Sequence, residues 1–351
     1  MLEPLGIRCG LLTGTLRAAE KRQAYKALQS GEWQAVFGTH ALISEGVSYQ
    51  RLGLVVTDEQ HRFGVRQRSL LQEKGHDGTC APHVLVMSAT PIPRTLALIL
   101  YGDLDVSVVD ELPPGRQPVK TRIVSEEKRA AMYGFLREEV AKGRQAYVVC
   151  PLVEDSEAMD NVRSAKATCE ALATGELHGL RVGLTWGGQN PDEKDSVLHR
   201  FAGGEMDVLV STTVIEVGVN VPNASVMVIE NAERFGLSQL HQLRGRVGRG
   251  TAESWCFLLA KETERLRILT QTNDGFLVAQ KDLELRGPGD LLGTRQSGEA
   301  IAGFLLDGDV KLLEEACRCM KELRTDPALS EERRQIEEEA MQYYISRVAL
   351  N

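Results

Sequence analysis

The stretch Gln239–Gly250, which reads QLHQLRGRVGRG, predicts a helix with one polar and one apolar face. Its amides and two of its arginines recur at steps of three or four residues, which places their side chains on one side of a helix. These polar residues are Gln239, Gln242, Arg246 and Arg249. The neighbouring apolar stripe consists of Leu240, Leu243 and Val247. We therefore expect one side to be anchored in a core while the other presents amide and guanidinium groups.

The same stretch contains three glycines, Gly245, Gly248 and Gly250. Each costs a helix about 1 kcal/mol relative to alanine. Such a cost is tolerated where another backbone or a phosphate must approach closely. Guanidinium groups on that face suit a polyanion, above all the γ-phosphate of a nucleotide held on a facing lobe. The alternative, a solvated arginine-rich helix, would leave the glycines unexplained.

The composition is that of a globular chain. The 351 residues are enough for two domains and a tail, with 42% hydrophobic and 26% charged residues. A net charge of −8 argues against a generally basic nucleic-acid-binding surface but leaves room for a local channel. The seven cysteines are scattered, which predicts a reduced chain without a zinc site. There is no apolar run of membrane-spanning length and no signal-peptide pattern, so we expect a cytoplasmic protein without membrane contact.

Short β-rich runs alternate with amphipathic helical runs, which predicts a mostly parallel sheet covered on both faces. The predicted strands are Ile7–Leu12, Ala35–Phe37, Leu52–Thr57, His83–Met87, Ala146–Cys150, Arg181–Thr185, Asp207–Val210, Val226–Ile229 and Ser254–Leu259. The predicted helices between them are Ala18–Gln29, Val65–Glu73, Arg94–Leu100, Glu126–Ala141, Asn161–Leu172 and Asp192–Phe201. After Lys261 the chain reads as helical throughout.

A proline- and glycine-rich stretch, Glu111–Gln117, interrupts this rhythm and predicts a linker. We therefore expect an α/β lobe over residues 1–110, a linker over 111–119, a second α/β lobe over 120–261, and helices over 262–351.

Paired carboxylates follow one apolar strand of the first lobe, where Thr57 leads into Asp58 and Glu59. The carboxyl edge of a parallel sheet is where α/β sites open, so an aspartate there can hold Mg²⁺ and an adjacent glutamate can polarise water. A helix-capping loop would explain this pair equally well. Ser88 and Thr90 follow the next strand and predict either helix capping or a relay toward the carboxylates.

Four motifs in this order resemble those of superfamily 2 helicases. They are Asp58–His61, Ser88–Thr95 (SATPIPRT), Ser211–Ala224 (STTVIEVGVNVPNA) and Gln239–Gly250. Wider strings narrow the resemblance to the RecG family of branched-DNA translocases: GTHALI (Gly38–Ile43), DEQHRFGV (Asp58–Val65) and GPGDLLGTRQSG (Gly287–Gly298). The related transcription-repair coupling factor shares much of this pattern but continues into another domain. The resemblance implies two RecA-like lobes, the first incomplete, followed by a helical hairpin and C-terminal helices.

The resemblance implies an ATP-dependent DNA helicase with ATP and Mg²⁺ as cofactors. The residues implied in catalysis are Asp58, Glu59, Gln60, His61, Gln242, Arg246 and Arg249. Those implied in nucleotide binding are Asp58, Glu59, Gly218, Asn220, Arg246 and Arg249. Asp58 would hold the metal, Glu59 would activate water, and the two arginines would be arginine fingers. Loss of such a finger typically lowers turnover by about 10³–10⁵.

The implied partner is branched DNA, such as forks, Holliday junctions and displacement loops, acted on by a monomer in recombination, repair and the reversal of stalled forks. The residues implied in DNA contact or coupling are Thr13, Gly14, Thr15, Gly38, Thr39, Ser88, Thr90, Ser211, Thr212, Thr213, Arg286, Arg295 and Gln296. Hydroxyls and main-chain N–H groups would position the DNA backbone without reading its sequence.

Two amphipathic helices are predicted over Glu264–Gly275 and Phe276–Arg286, with a turn at Asn273–Gly275. The resemblance implies that this hairpin and the loop Gly293–Gly298 couple lobe movement to translocation. A hairpin that only closes the second lobe explains the spacing equally well.

The sequence departs from the family pattern at several points. There is no GxxxxGK[ST] phosphate loop, and the chain opens where the first lobe should already be under way, so we expect a carboxy-terminal portion without the wedge domain. Trp186-Gly187-Gly188 replaces the usual His-Gly-Arg, and Asn220 stands where an aspartate is usual. Trp186 could stack on a base or belong to a core.

Three interpretations follow. The chain is the motor portion of a RecG-type enzyme with negligible ATP turnover alone; it is a non-catalytic DNA-binding or interaction module; or it is an unrelated α/β nucleotide-binding enzyme. DNA-stimulated ATPase and fork-binding assays separate them.

Overall fold

The structure is a computed structural model that describes residues 2–44, 46–58, 82–88, 105–109, 111, 113, 116–151, 167–186, 188–211, 221–286 and 310–348. The chain divides into two units, Met1–Thr90 and Pro91–Asn351, which we describe separately. The predicted domain limits at residues 110, 119 and 261 stay predictions. Among the described helices, none has the length and apolar character to cross a membrane.

The first unit contains two pairs of parallel strands among its described residues. In chain order its elements are β1 (Cys9–Leu12), α1 (Ala18–Gln29), β2 (Ala35–Gly38), β3 (Leu54–Thr57) and β4 (His83–Val86), with a 3-10 helix at His40–Ile43. β1 pairs with β2, and β3 pairs with β4. α1 follows β1 and packs Ala24 and Leu28 against Leu12, which is fully buried. β1, α1 and β2 therefore form a βαβ unit, as the alternating pattern predicts.

The second unit is organised around a six-stranded sheet in the order β5-β10-β9-β6-β8-β7, in which every pairing is parallel. Its strands are β5 (Val119–Val124), β6 (Gln145–Val149), β7 (Val182–Thr185), β8 (Val208–Ser211), β9 (Ala224–Glu230) and β10 (Ser254–Leu259). Its helices are α2 (Arg129–Ala141), α3 (residues 167–174), α4 (Pro191–Ala202), α5 (Leu237–Arg244), α6 (Glu264–Gln271), α7 (Gly275–Arg286), α8 (Val310–Thr325) and α9 (Ser330–Val348).

Helices cover both faces of this sheet. On one face α4, α5, α6 and α7 contribute buried residues to a single cluster, including Phe201, Leu240 and Leu266. On the other face α2 and α3 contribute Met132, Leu136 and Leu172, among others. Every residue of the central strand β9 is buried, as expected for a parallel strand covered on both faces. The predicted fold class, an α/β chain with parallel sheets and C-terminal helices, is confirmed.

Two parts of the sequence-based prediction are wrong. The helix expected over Gln239–Gly250 ends at Arg244, and residues 245–250 form a loop. β5 was not predicted, because Lys120 and Arg122 interrupt its apolar pattern. β5 is an edge strand, and charged side chains are tolerated at the edge of a sheet.

The predicted hairpin is present as α6 and α7, with α6 four residues shorter than expected. Asp274 begins α7, because its Oδ1 accepts a hydrogen bond from the Phe276 N–H at 2.8 Å. Beyond it, the described residues 310–348 are helical except for a short turn and one 3-10 segment. The predicted helices Val65–Glu73 and Arg94–Leu100 lie outside the described residues.

Candidate functional site

The arginine loop, defined as residues 245–250, follows α5 and carries Arg246 and Arg249. α5 ends where the N–H of Gly245 donates to the His241 carbonyl oxygen at 3.0 Å. Arg246 and Arg249 therefore do not share a helical face with Gln239 and Gln242, which corrects the prediction. The glycines expected to weaken a helix are the residues that end this one and shape the loop.

The apolar half of the prediction is correct. Leu240 and Val247 are fully buried and Leu243 is nearly so, all in the cluster beneath the sheet. The stripe continues from α5 into the arginine loop, so Val247 anchors the loop between Arg246 and Arg249. The arginines are thus carried on a loop with a fixed base, Arg246 half-buried and Arg249 exposed.

Two glycines of the loop stand where no other residue fits. Gly248 has a left-handed φ of 77°, and a Cβ there would lie 2.9 Å from Val119 Cγ2 and 3.1 Å from the Gln117 carbonyl oxygen. A Cβ on Gly250 would lie 2.3 Å from the carbonyl oxygen of Pro222. Of the two reasons expected for these glycines, close approach of another backbone is the one that the structure supports.

The loop gathers positive charge around the carbonyl oxygen of Gly245. Arg249 Nε donates to this oxygen at 3.2 Å, and Arg116 Nη2 donates to it at 3.1 Å. Burial raises the pKa of Tyr147 to about 12, and the charges of Arg249 and Arg246 oppose that rise. Arg116 belongs to the predicted linker and had no role in the sequence-based interpretation. Its proximity to the arginine loop is visible only in the structure, through the hydrogen bond to the Gly245 carbonyl oxygen.

His241 and Arg244 form a pair on α5 that the sequence did not single out, with Arg244 buried and His241 half-buried. Arg244 Nη2 lies 2.8 Å from His241 Nδ1, and its Nη1 donates to the carbonyl oxygens of Leu269 at 2.7 Å and Thr272 at 2.8 Å. Burial, then the charges of Arg244 and Arg116, lowers the pKa of His241 from 6.5 to about 4. A neutral His241 accepts the hydrogen bond from Arg244, which in turn joins α5 to the end of α6.

A second missed group lies at the carboxyl end of β9. Glu230 is 5% exposed and accepts a bidentate pair of hydrogen bonds from Arg129 at 2.8 and 2.9 Å. The hydroxyl of Tyr133 donates to the same carboxylate at 2.6 Å. This cluster fixes the start of α2 to the strand end that leads toward α5.

In the first unit, the predicted residues lie at the carboxyl ends of paired strands. Asp58 follows β3 and Ser88 lies two residues beyond β4, and both are exposed. The two strands are in register at their ends, with the Met87 N–H donating to the Thr57 carbonyl oxygen at 2.8 Å. The adjacency that a relay between them requires is therefore present.

The other pair of strands brings together the residues predicted to contact DNA in the first unit. Thr13, Gly14 and Thr15 follow β1, and Thr39 follows β2, with the Thr39 N–H donating to the Leu12 carbonyl oxygen at 3.3 Å. Thr13 Oγ1 and Thr15 Oγ1 lie 2.9 Å apart. Hydroxyls and main-chain groups thus converge at one sheet edge beside Gly38, the last residue of β2.

Three predicted residues are described in the second unit outside the arginine loop. Gln242 is half-buried in the last turn of α5. Ser211 ends β8 and is fully buried, and its contact with DNA stays a prediction. Arg286 ends α7, and its side chain is not described. Trp186, beyond β7, is partly buried.

The remaining predicted site residues lie outside the described residues. They are Glu59, Gln60, His61, Thr90, Thr212, Thr213, Gly218, Asn220, Arg295 and Gln296.

Three family models match consecutive parts of the chain. Residues 1–99 match the DEAD/DEAH box helicase model, and residues 127–251 match the helicase conserved C-terminal domain. Residues 272–328 match the model described as ATP-dependent DNA helicase RecG, domain 3, C-terminal. The last match begins just after α6, includes α7, and continues past the end of α8.

Curated relatives named ATP-dependent DNA helicase RecG are similar over most of this chain. The protein from Synechocystis sp. is 52% identical over 311 residues, which are 86% of this chain and 37% of the relative. The protein from Escherichia coli strain K12 is 52% identical over 87% of this chain and 45% of its own length. The protein from Acidithiobacillus ferridurans is 48% identical over 99% of this chain and 49% of its own length. The chain thus spans less than half of these relatives.

Solved structures agree with this assignment. A structure of RecG bound to a three-way DNA junction superposes with a TM-score of 0.66 at 46% identity, covering 89% of this chain and 41% of that one. The helicase MrfA bound to DNA and AMPPNP shares the fold with a TM-score of 0.56 at 16% identity, over 87% of this chain and 48% of that one. These matches overturn the interpretation as an unrelated nucleotide-binding enzyme, and the chain belongs to the RecG family of superfamily 2 helicases.

Proposed function

We propose that this chain is the motor portion of an ATP-dependent helicase or translocase that acts on branched DNA. The observation that carries the proposal is the arginine loop, which holds Arg246 and Arg249 on a base fixed by Val247, Gly248 and Gly250. Fixed guanidinium groups are suited to the charge that develops on a transferring phosphoryl group. The identity with RecG proteins over most of the chain supports the same assignment.

We propose that residues of the second unit bind the phosphates of ATP. Arg246 and Arg249 would hold them through charge-assisted hydrogen bonds, and Gln242, at the end of α5, would lie beside them. In the first unit, Asp58 would hold Mg²⁺ and Glu59 would orient water. When bound, ATP supplies the phosphoanhydride bond whose hydrolysis provides the energy for movement. His61 and Gln60 would relay between the nucleotide and DNA.

The DNA-contacting part of the proposal rests on the exposed sheet edges of the first unit. Thr15, Thr39 and Ser88 lie at the carboxyl ends of parallel strands and are exposed. Hydroxyl and main-chain groups of this kind contact phosphates and sugars. The related RecG structure is bound to a three-way junction, so we propose forks, Holliday junctions and displacement loops as partners of a monomer. We also propose that the protein acts in the cytoplasm, in recombination, DNA repair and the reversal of stalled forks.

We propose that the hairpin of α6 and α7 couples the arginine loop to the residues that follow α7. Arg244 ties α5 to the carbonyl oxygens of Leu269 and Thr272, at the junction of α6 and α7. Arg286 lies at the far end of α7, and Arg295 and Gln296 follow in the sequence. Movement of the arginine loop would reach these residues through the hairpin.

Both candidate functions predict little or no ATP turnover by the chain alone. The sequence has no GxxxxGK[ST], and without that loop the phosphates lose their main ligands. We propose that the isolated chain has negligible ATPase activity. The second candidate function, a non-catalytic DNA-binding module, is favoured by the same missing motif.

The test measures two quantities on the isolated 351-residue chain: ATP turnover with and without forked DNA, and the affinity for that DNA. Salt-sensitive fork binding without turnover supports the proposal. Robust DNA-stimulated turnover contradicts the expected inactivity, and absence of fork binding contradicts both candidate functions.

Two single substitutions, compared with each other, test where the chain contacts DNA. Thr15→Ala should weaken fork binding by about threefold, since one backbone contact contributes about 0.5–1.5 kcal/mol. Thr174→Ala removes an exposed hydroxyl from the second unit, where it bonds only locally to Glu170 and Ala171, and should leave binding unchanged. Equal effects of the two substitutions would contradict the placement of DNA at β1 and β2.

A further inference from the structure

Arg116 and Arg249 share one hydrogen-bond acceptor although they come from different segments. Both guanidinium groups donate to the carbonyl oxygen of Gly245, Arg116 through Nη2 at 3.1 Å and Arg249 through Nε at 3.2 Å. The two groups therefore lie within a few ångströms of each other. Like charges this close repel, so the arrangement needs either a strong structural constraint or an anion.

The constraint is visible in the residues that follow Arg116. Gln117 and Val119 lie against Gly248, at distances where a side chain on that glycine would clash with both. Val119 is buried and begins β5, which pairs with β10. The backbone on the carboxyl side of Arg116 is thus fixed against the arginine loop, and its guanidinium is held beside Arg249 by the fold.

The charge of Arg116 is not balanced by a carboxylate in the described part of the chain. The Arg116 guanidinium donates a hydrogen bond to the main-chain carbonyl oxygen of Gly245. Among the described residues, no acidic side chain lies within ion-pair distance of it. Burial, and then the charge of Arg249, lowers the pKa of Arg116. A half-buried cation beside another cation, with a neutral acceptor, is a favourable position for an anionic ligand.

We propose that Arg116 is a third phosphate-binding residue, which acts with Arg246 and Arg249 on the polyphosphate chain of a nucleotide. This proposal rests on the proposed function and adds a residue from the segment that precedes β5. Guanidinium groups supplied by two segments suit a ligand with several anionic groups, because each planar fork can bind a separate phosphate. A bound polyphosphate would also relieve the repulsion between Arg116 and Arg249.

The test uses inorganic tripolyphosphate, which carries the charge of the nucleotide without its base or ribose. Its affinity for the chain is measured by calorimetric titration at low ionic strength, and folding of each variant is checked by thermal melting. R116Q should weaken binding by about tenfold or more, which is the loss of one charge-assisted hydrogen bond. R116K, which keeps the charge but not the fork, should fall between R116Q and the unaltered chain.

Arg137 provides a matched control. It lies in the same unit, is exposed, and its guanidinium also donates to main-chain carbonyl oxygens, those of Glu176 at 3.2 Å and His178 at 2.7 Å. R137Q should leave the affinity unchanged. If R116Q binds as tightly as R137Q while R249Q is weakened, the role of Arg116 is overturned and the arginine loop remains the phosphate site.

Two other outcomes separate the proposals. If R249Q and R246Q bind tripolyphosphate as tightly as the unaltered chain, the phosphate-binding role of the arginine loop is overturned together with that of Arg116. If the unaltered chain shows no saturable binding, the phosphate site is overturned as a whole. The DNA-binding part of the proposed function is measured separately and is not affected by either result.

Discussion

At the scale of single residues, the buried carboxylate of Glu230 contributes to the stability of the second unit. Its carboxylate is held by Arg129 and Tyr133, and burial together with the Glu230 charge raises the pKa of Tyr133, so the phenol stays a donor. A buried ion pair adds little by itself, but removing its buried carboxylate would leave Tyr133 without this acceptor and Arg129 with only the more exposed Glu176 and Glu126.

Replacing Glu230 should therefore destabilise the chain strongly. We expect Glu230→Gln to lower the free energy of unfolding by about 3 kcal/mol, measured by urea denaturation. The control is Glu205→Gln, because Glu205 pairs with Arg200 where both side chains are more than half exposed. That change should cost less than about 1 kcal/mol. Similar losses in the two variants would show that the Glu230 cluster is not a buried charge pair in solution.

His241 makes stability depend on pH in a definite direction. Its pKa is about 4 in the folded chain and 6.5 ordinarily, so between these values only the unfolded state takes up the proton. The stabilisation is complete above about pH 6.5 and is lost as the pH falls toward 4. The groups that act on it are Arg244 and Arg116, which lower its pKa, and Asp274, which raises it.

We expect the free energy of unfolding to fall by about 2 kcal/mol more between pH 7 and pH 5 in the unaltered chain than in His241→Gln. Glutamine keeps an acceptor for Arg244 without titrating. His199 is exposed on α4 and serves as the control, since His199→Gln should retain the full pH dependence. Urea denaturation at both pH values provides the measurement. An unchanged pH dependence in His241→Gln would rule out a neutral, buried imidazole.

At the scale of elements, the arginine loop is shaped by what packs against it and not by helix propensity. Gly248 and Gly204 have the same φ of 77°, but a Cβ on Gly204 meets no atom within 4 Å. The two glycines therefore separate the cost of a left-handed backbone from the cost of crowding.

Gly204→Ala should lower the free energy of unfolding by about 1 kcal/mol, the cost of the left-handed conformation. Gly248→Ala should lower it by about 3 kcal/mol, because the added methyl also displaces Gln117 and Val119. Chemical denaturation of both variants tests the difference. Equal costs would mean that the segment before β5 is not seated on the loop.

Local patterns predicted many elements well. α1 and β10 begin and end at the predicted residues, since twelve residues of helical periodicity and an apolar run bounded by polar residues are unambiguous. β5 was missed because an edge strand with alternating basic residues does not show the buried pattern. α5 ends at Arg244, earlier than predicted: Gly245 caps it, and the loop that follows turns at the left-handed Gly248 against a neighbouring segment, which side-chain spacing does not show.

At the scale of the whole molecule, the net charge of −8 means that any DNA contact is made by local groups. We expect the affinity for forked DNA to fall at least about tenfold between ~50 and ~200 mM salt, because contacts with a few phosphates release counterions. Fluorescence anisotropy at several salt concentrations measures this slope. Affinity that is independent of salt would contradict backbone contacts as the source of binding.

The family and the fold class could be predicted from the order of residues along the chain. The helicase motifs and the alternation of strands and helices are properties of neighbouring residues, and the family matches and the parallel six-stranded sheet confirm both. The roles of Asp58, Arg246 and Arg249 came from the same motifs and stay predictions. The sequence also indicated which face of the Gln239 stretch is buried, because apolar spacing is local.

The long-range contacts of the second unit could not be predicted from the order of residues in this way. Arg129 reaches Glu230 across 101 positions, and Arg116 reaches the Gly245 carbonyl oxygen across 129. Arg244 binds the carbonyl oxygens of Leu269 and Thr272. Because every residue has a main-chain carbonyl oxygen, the amino-acid sequence does not show which of them an arginine will bind. Only the path of the folded chain brings a particular arginine to it.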